Sequence, residues 1–192
     1  MGRILFGIVL GLVLFPAAIL MWVRYGQPPA AVADKPFFYE EWIAKTALHG
    51  RIDREAPKLS PIPVNEENLA GGARIYRDRC MVCHGVHGQA SPTGSSMYPK
   101  APPLWEQHRS EDVVGVSDDP VGETYWKVAN GIRLTGMPAY QGVLTNTEIW
   151  QVSLLLANAN NPLPPAALSL LKEQPAQASA EPSAKAGGAT KE

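Results

Sequence analysis

The chain contains very little cysteine and histidine. Only two cysteines and four histidines occur among its 192 residues, and both cysteines, Cys80 and Cys83, lie in one short motif. No cysteine is left for a disulfide framework, and a structural zinc site lacks the second cysteine pair that it usually needs. A thioredoxin-like redox pair would lie near a β-α-β pattern, which the sequence does not contain.

The chain also lacks an excess of charge of one sign, internal repeats and strand-like alternation. Seventeen basic and eighteen acidic residues leave a formal net charge of −1, so the basic surface of a nucleic-acid-binding protein is missing. No segment alternates apolar and polar residues over the length of a strand between turn residues. We therefore expect a mostly α-helical protein that does not bind nucleic acid.

One C-x-x-C-H motif is present, Cys80-Met81-Val82-Cys83-His84. Two cysteines at this spacing can each form a thioether to a porphyrin, and the histidine that follows is placed as an iron ligand. The motif occurs once in the sequence. We predict one covalently bound haem c, attached through Cys80 and Cys83 and ligated by His84.

Methionine is the expected second axial ligand, because its thioether raises the reduction potential and suits electron transfer. Met137 lies in Gly136-Met137-Pro138, where the glycine allows a close backbone approach and the proline stiffens the loop. We predict that His84 and Met137 ligate the iron, with Met97 as the rival methionine. Three histidines are weaker rivals: His49, His87 and His108.

These motifs together resemble a class I cytochrome c over roughly residues 65–160. Gly72 and Tyr76 precede Cys80 at the family's spacing, and residues 125–131 resemble the segment before the family's methionine loop. The resemblance implies that Gly72 lets two helices cross closely. It also implies that Tyr76 packs against an aromatic residue of the last helix.

The segment Pro102-Pro103-Leu104 is similar to the family's Pro-x-Leu sequence after the haem motif. By resemblance, the Pro102 carbonyl accepts a hydrogen bond from Nδ1 of His84. Such a bond orients the imidazole ring and increases its basicity as a ligand. The resemblance thus adds Pro102 to the cofactor-binding residues.

Local patterns predict the helices at both ends of this domain. Asn65 is a suitable cap before two glutamates, and Thr145 with Glu148 forms a capping box. Apolar or small residues then recur at helical spacing. On the first helix they are Leu69, Gly72, Ala73 and Tyr76; on the last they are Ile149, Val152, Ser153 and Leu156.

Residues 4–23 are uncharged and largely apolar, and a helix of this length is long enough to cross a bilayer. We expect a retained single-pass anchor; the rival interpretation is a secretory signal with Ala31-Val32-Ala33 as its cleavage site. Haem attachment outside the cytoplasmic membrane, which the resemblance implies, would place the rest of the chain on the periplasmic side of a bacterial inner membrane.

We predict four regions. Residues 1–24 are a transmembrane anchor, 25–64 a juxtamembrane segment with a Pro-rich spacer, 65–160 a cytochrome c domain, and 161–192 an extension that is largely a disordered tail. Within the second region, a helix over residues 37–48 would end at His49-Gly50. It would pack on the haem domain or lie on the membrane.

The predicted function is respiratory single-electron transfer by a membrane-tethered carrier that is not an enzyme. The resemblance implies a quinol-oxidising complex or a dehydrogenase as electron donor and a terminal oxidase or reductase as acceptor. Two alternatives remain open. The chain would be a fixed cytochrome subunit of a larger complex, or an enzyme or gas sensor in which a ligand displaces Met137.

Overall fold

A computed structural model describes residues 1–86, 88–107 and 112–173 of the chain. It divides into two compact units, residues 1–46 and a unit that begins at Ala47. The described residues form eight α-helices: α1 Gly2–Tyr25, α2 Glu40–Glu55, α3 Glu66–Ile75, α4 Met81–His84, α5 Pro92–Ser95, α6 Val121–Asn130, α7 Asn146–Ala157 and α8 Pro165–Lys172. They contain two isolated β-bridges and no strand. The predicted mostly α fold is confirmed.

Helix α1 leaves all of its side chains exposed. It is the one helix in the described residues that is long and apolar enough to cross a membrane. A secretory signal near an amino terminus shares these properties.

Helix α2 runs further than the sequence predicted. It passes His49 and Gly50 and continues to Glu55, just before Pro57. The last turn is stabilised by a two-fold hydrogen bond from the Arg51 guanidinium to Glu55 at 2.8 Å and by the burial of Ile52. A glycine within a helix costs only about 1 kcal/mol, which such contacts offset.

The crossing of α3 and α7 depends on Gly72. A Cβ atom at this position would overlap the backbone carbonyl of Gln151 and press on Leu155. Asn65 caps α3, as predicted, by accepting the backbone N–H of Asn68 at 2.8 Å. The close crossing that the resemblance implied is therefore present in the structure, because only a glycine fits between the two backbones.

Helix α7 is the centre of the core. Its capping box forms as predicted, with Thr145 N–H donating to Glu148 Oε2 at 2.7 Å and Glu148 N–H donating to Thr145 Oγ1 at 3.3 Å. Most of the helix is buried, since seven of the eight residues from Ile149 to Leu156 lie in the core. A helix that is apolar on most sides belongs in a core rather than on a surface.

The aromatic packing differs from what the resemblance implied. The ring of Tyr76 meets Trp105 edge-on, with centroids 5.6 Å apart, whereas Trp150 of α7 stacks on Tyr125 of α6 at 4.2 Å. Trp150 therefore joins α7 to α6, while Leu155 is the α7 residue that lies beside Gly72.

The second compact unit extends beyond the predicted cytochrome domain at both ends. The Pro57 carbonyl lies where a Cβ on Gly122 would be, and the Pro63 carbonyl accepts the Asn68 side chain at 2.9 Å. At the other end, Ala167 and Leu171 of α8 are buried. The four-region division stays a prediction; the contacts add residues 47–64 and α8 to the unit that carries the haem motif. Residues 174–192 of the predicted tail lie outside the described residues.

Candidate functional site

The C-x-x-C-H motif lies where α3 gives way to a short helix. A π-helical turn, Tyr76–Cys80, follows α3, and α4 carries the rest of the motif and ends at Gly85, whose φ is 80°. π-Helical turns recur at functional sites, but no signal in the sequence marked this one. Cys80 and Cys83 are both half-buried free thiols, so both remain available for covalent attachment. Burial, and to a smaller extent electrostatic repulsion from Cys83, raise the pKa of Cys80 to about 12.

The His84 ring is held by the segment that follows the motif. Its Nδ1 lies 2.8 Å from the Pro102 carbonyl oxygen, and the His84 carbonyl accepts the Leu104 N–H at 3.3 Å. With Nδ1 donating, Nε2 is the nitrogen with a lone pair for a metal. Burial lowers the pKa of His84, although the Pro102 hydrogen bond acts in the opposite direction. The imidazole is therefore neutral at pH 7, as a metal ligand must be.

Helix α5 packs against the backbone of the C-x-x-C-H motif. A Cβ on Gly94 would overlap the Cys83 carbonyl oxygen, so only glycine fits there. Ser91 caps α5 and its hydroxyl donates to the Val82 carbonyl at 2.5 Å. The buried Tyr76 hydroxyl donates to the Gly85 carbonyl at 2.8 Å. These contacts fix the backbone on both sides of His84, and sequence reasoning did not identify Ser91 or Gly94.

The Met137 loop begins and ends at the carboxyl end of α6. Gly131, with φ 67°, ends α6, and Tyr140 N–H and Gln141 N–H return to the carbonyls of Val128 and Ala129, each at 3.1 Å. Inside the loop, the Thr135 hydroxyl donates to the Ile132 carbonyl at 2.7 Å and accepts the Met137 N–H at 3.1 Å. Met137 itself is half-buried against the core.

Tyr140 ties this loop to the haem motif. Its hydroxyl donates to the carbonyl of Arg79, the residue before Cys80, at 3.0 Å. Burial, and then the nearby Cys80 and Cys83, raise the pKa of Tyr140, so the hydroxyl stays protonated. The structure thereby brings the Met137 loop next to the two cysteines. Sequence reasoning did not identify this role of Tyr140; its position three residues after Met137 was the one available indication.

The rival ligands are distributed differently. The side chain of Met97 packs against the Met137 loop. A Cβ atom built on Gly136 would lie 3.0 Å from the Met97 sulfur atom. His49 is exposed on α2, and His87 and His108 lie outside the described residues. The structure therefore brings one rival, Met97, to the same loop as Met137.

The donor set fits haem c. Two free thiols, a neutral imidazole with Nε2 available and a half-buried thioether are the groups that covalent attachment and axial ligation require. The described residues contain no group of three or more His, Cys, Asp and Glu side chains that would hold a different metal ion. The assignment of individual ligands remains a prediction.

Comparisons with known proteins agree with this chemistry. Residues 67–154 match the family model described as cytochrome c oxidase, cbb3-type, subunit III. The chain is also similar to a thiosulfate dehydrogenase of Stutzerimonas stutzeri (strain A1501), with 28% identity over 149 residues. That alignment covers 73% of this chain and 44% of the relative, so the chain spans less than half of the relative's length.

The helical fold and the haem-attachment motif define a haem-binding electron-transfer domain. The two matches agree with this and support a c-type cytochrome domain over the matched residues 67–154. The prediction of this class from the sequence is confirmed.

Proposed function

We propose that the protein is a membrane-tethered carrier of single electrons with one haem c. The observation that carries this proposal is that the Tyr140–Arg79 hydrogen bond brings the Met137 loop next to the C-x-x-C-H motif. His84 and Met137 then supply ligands from two separate parts of the chain. When bound, haem iron supplies the one-electron chemistry of the ferrous and ferric states.

The chain's own residues would hold and tune this group. Cys80 and Cys83 form the covalent attachment, and the Pro102 carbonyl keeps the His84 ring in one orientation through the 2.8 Å contact. Met137 would supply a thioether as the second protein ligand, which would favour electron transfer over binding of a substrate. The single motif in the sequence corresponds to one haem.

The proposed location is the periplasmic side of a bacterial inner membrane, with α1 as a single-pass anchor. Its 24 residues span about 36 Å at 1.5 Å per residue, which exceeds the hydrocarbon thickness of about 30 Å. The proposed partners are redox proteins: a quinol-oxidising complex or dehydrogenase as donor, and a terminal oxidase or reductase as acceptor.

Two measurements on the protein isolated from membranes test this proposal. Intact mass should show one covalent haem and an uncleaved amino-terminal segment, and a redox titration should show one one-electron transition. A mature protein starting at Asp34 would mean that residues 1–33 are a cleaved signal. A second haem, or a soluble protein, would contradict the carrier proposed here.

The similarity to a thiosulfate dehydrogenase favours a second candidate, in which the chain is the cytochrome part of a dehydrogenase. The purified protein would then be a fixed subunit, or would itself oxidise thiosulfate with an added electron acceptor. Purification in mild detergent, followed by a thiosulfate-dependent acceptor-reduction assay, separates the candidates. A stoichiometric partner supports the subunit, and turnover by the isolated chain supports the enzyme. The absence of both a partner and turnover supports the carrier.

A further inference from the structure

The segment Phe37–Ile43, called here the aromatic segment, exposes an unusual amount of apolar surface. Phe38 is 84% exposed and Trp42 67% exposed. Its other large side chains are also more than half exposed: Phe37, Tyr39 and Ile43. Contiguous exposed apolar side chains on a soluble surface are uncommon and mark sites that contact something else.

The aromatic segment is held in a defined conformation. Glu40 Oε2 accepts the Phe37 N–H at 3.0 Å, and Glu40 N–H donates to the Phe37 carbonyl at 3.0 Å. The preceding linker is closed by Asp34, whose carboxylate accepts the N–H groups of Ala30 and Ala31, both at 2.8 Å. The rings are therefore presented by a hydrogen-bonded backbone rather than by a free chain.

The segment lies beside the end of α1. The Phe37 ring is 6.4 Å from the Trp22 ring, centroid to centroid, and Trp22 lies in the last turn of α1. If α1 spans a bilayer, Trp22 is at the depth where tryptophan and tyrosine concentrate, between lipid tails and water. A ring in contact with Trp22 is at nearly the same depth.

We propose that the aromatic segment inserts into the interfacial layer of the lipid bilayer and forms a second attachment point next to α1. The inference rests on the proposed anchoring by α1. The occupant of this surface is lipid rather than another protein, because the surface continues from the membrane helix through the Trp22–Phe37 contact. Tyrosine and tryptophan rings with polar edges suit the interface, where each ring has one apolar and one wet side.

Charge plays little part in this attachment. Two lysines balance two glutamates between positions 35 and 45, and Glu41 and Lys45 pair with each other at 2.6 Å. Binding should therefore depend on ring burial and not on anionic headgroups, unlike that of a basic amphipathic helix.

The test uses the full-length, haem-loaded protein, one chain per phosphatidylcholine nanodisc, with single cysteines introduced at three exposed positions. The test variant is Phe38→Cys, and Leu59→Cys is its control because Leu59 is 83% exposed in the second unit. Leu12→Cys in α1 reports on the anchor. Each variant is treated with a polar maleimide that does not enter lipid, and the thiol-labelling rate is measured.

We expect Phe38→Cys to react about an order of magnitude more slowly than Leu59→Cys, with Leu12→Cys slowest. The Phe38→Cys rate should not change when part of the lipid is replaced by phosphatidylglycerol. Equal rates at Phe38→Cys and Leu59→Cys, with Leu12→Cys protected, would overturn the inference while leaving the anchor intact. Rapid labelling at all three positions would overturn the anchor itself, and protection only with phosphatidylglycerol would replace ring insertion by headgroup attraction.

Discussion

The two sides of the haem motif are held in different ways. On the His84 side, contacts come from segments close in sequence: Pro102 to the ring, Gly94 beneath Cys83 and Ser91 on the Val82 carbonyl. On the Met137 side, the loop is anchored to α6 at its ends, and one side chain, Tyr140, bonds it to the motif.

This difference has a consequence for stability. The His84 side is fixed by several independent contacts, so removing one polar contact leaves others in place. On the Met137 side, most of the hydrogen bonds lie within the loop or join its ends to α6, and a loop opens locally at a lower cost in free energy than a packed helix does. We expect heat to open the Met137 loop before the His84 side.

The largest expected effect comes from filling the space behind the motif. Gly94→Ala places a Cβ onto the Cys83 carbonyl, so the backbone of α4 or α5 must shift. We expect a loss of roughly 3 kcal/mol in the free energy of unfolding, or failure to accumulate haem-loaded protein. Haem staining and denaturant unfolding measure the two outcomes.

Gly142→Ala is the matched control, because nothing lies within 4 Å of a Cβ at that position. It should change stability by less than about 0.5 kcal/mol. If Gly94→Ala is tolerated as well as this control, the account of the His84 side is wrong.

A smaller effect is expected from removing the hydroxyl that joins the two sides. Tyr140→Phe loses the 3.0 Å bond to the Arg79 carbonyl, at a cost of about 1 kcal/mol. The optical Met–iron charge-transfer band of the oxidised protein should then disappear at a lower temperature, while the covalent haem is retained.

Tyr125→Phe provides the comparison, because it removes a 3.2 Å bond to Asn146 that does not reach the motif. It should leave the melting of the Met–iron band nearly unchanged relative to Tyr140→Phe. An identical shift in both variants would show that Tyr140 acts only through general stability.

The smallest effect concerns pH. The Thr145 N–H and hydroxyl hold the pKa of Glu148 below its ordinary value of 4.5. A carboxyl with a lowered folded-state pKa adds stability above the unfolded-state pKa, and this stability is lost as pH falls through the folded-state pKa. We expect Glu148→Gln to destabilise the protein slightly at pH 7 and to a smaller extent at pH 3. Thermal unfolding at the two pH values checks this, and an equal loss at both would contradict it.

The sequence predicted the features that depend on local chemistry. The cap at Asn65 and the capping box of Thr145 and Glu148 each follow from a few residues in a fixed pattern. The close approach at Gly72 was expected only from the resemblance to class I cytochromes c. The C-x-x-C-H motif likewise carries its chemistry in five adjacent residues.

Features that depend on distant contacts were not predictable from the same patterns. Helix α2 continues past Gly50 because Ile52 is buried and Glu55 accepts the Trp126 indole N–H at 3.0 Å. The role of Tyr140 depends on a carbonyl 61 positions earlier in the chain. Only tertiary packing brings such pairs together, so a propensity or a spacing rule does not reveal them.

The central proposal is that His84 and Met137 would both ligate one haem. Its most direct test compares Met137→Ala with Met97→Ala, the methionine that lies against the same loop. The account predicts that Met137→Ala keeps the covalent haem but loses the Met–iron band and lowers the reduction potential, while Met97→Ala keeps the band. Loss of the band in Met97→Ala with its retention in Met137→Ala would contradict the account.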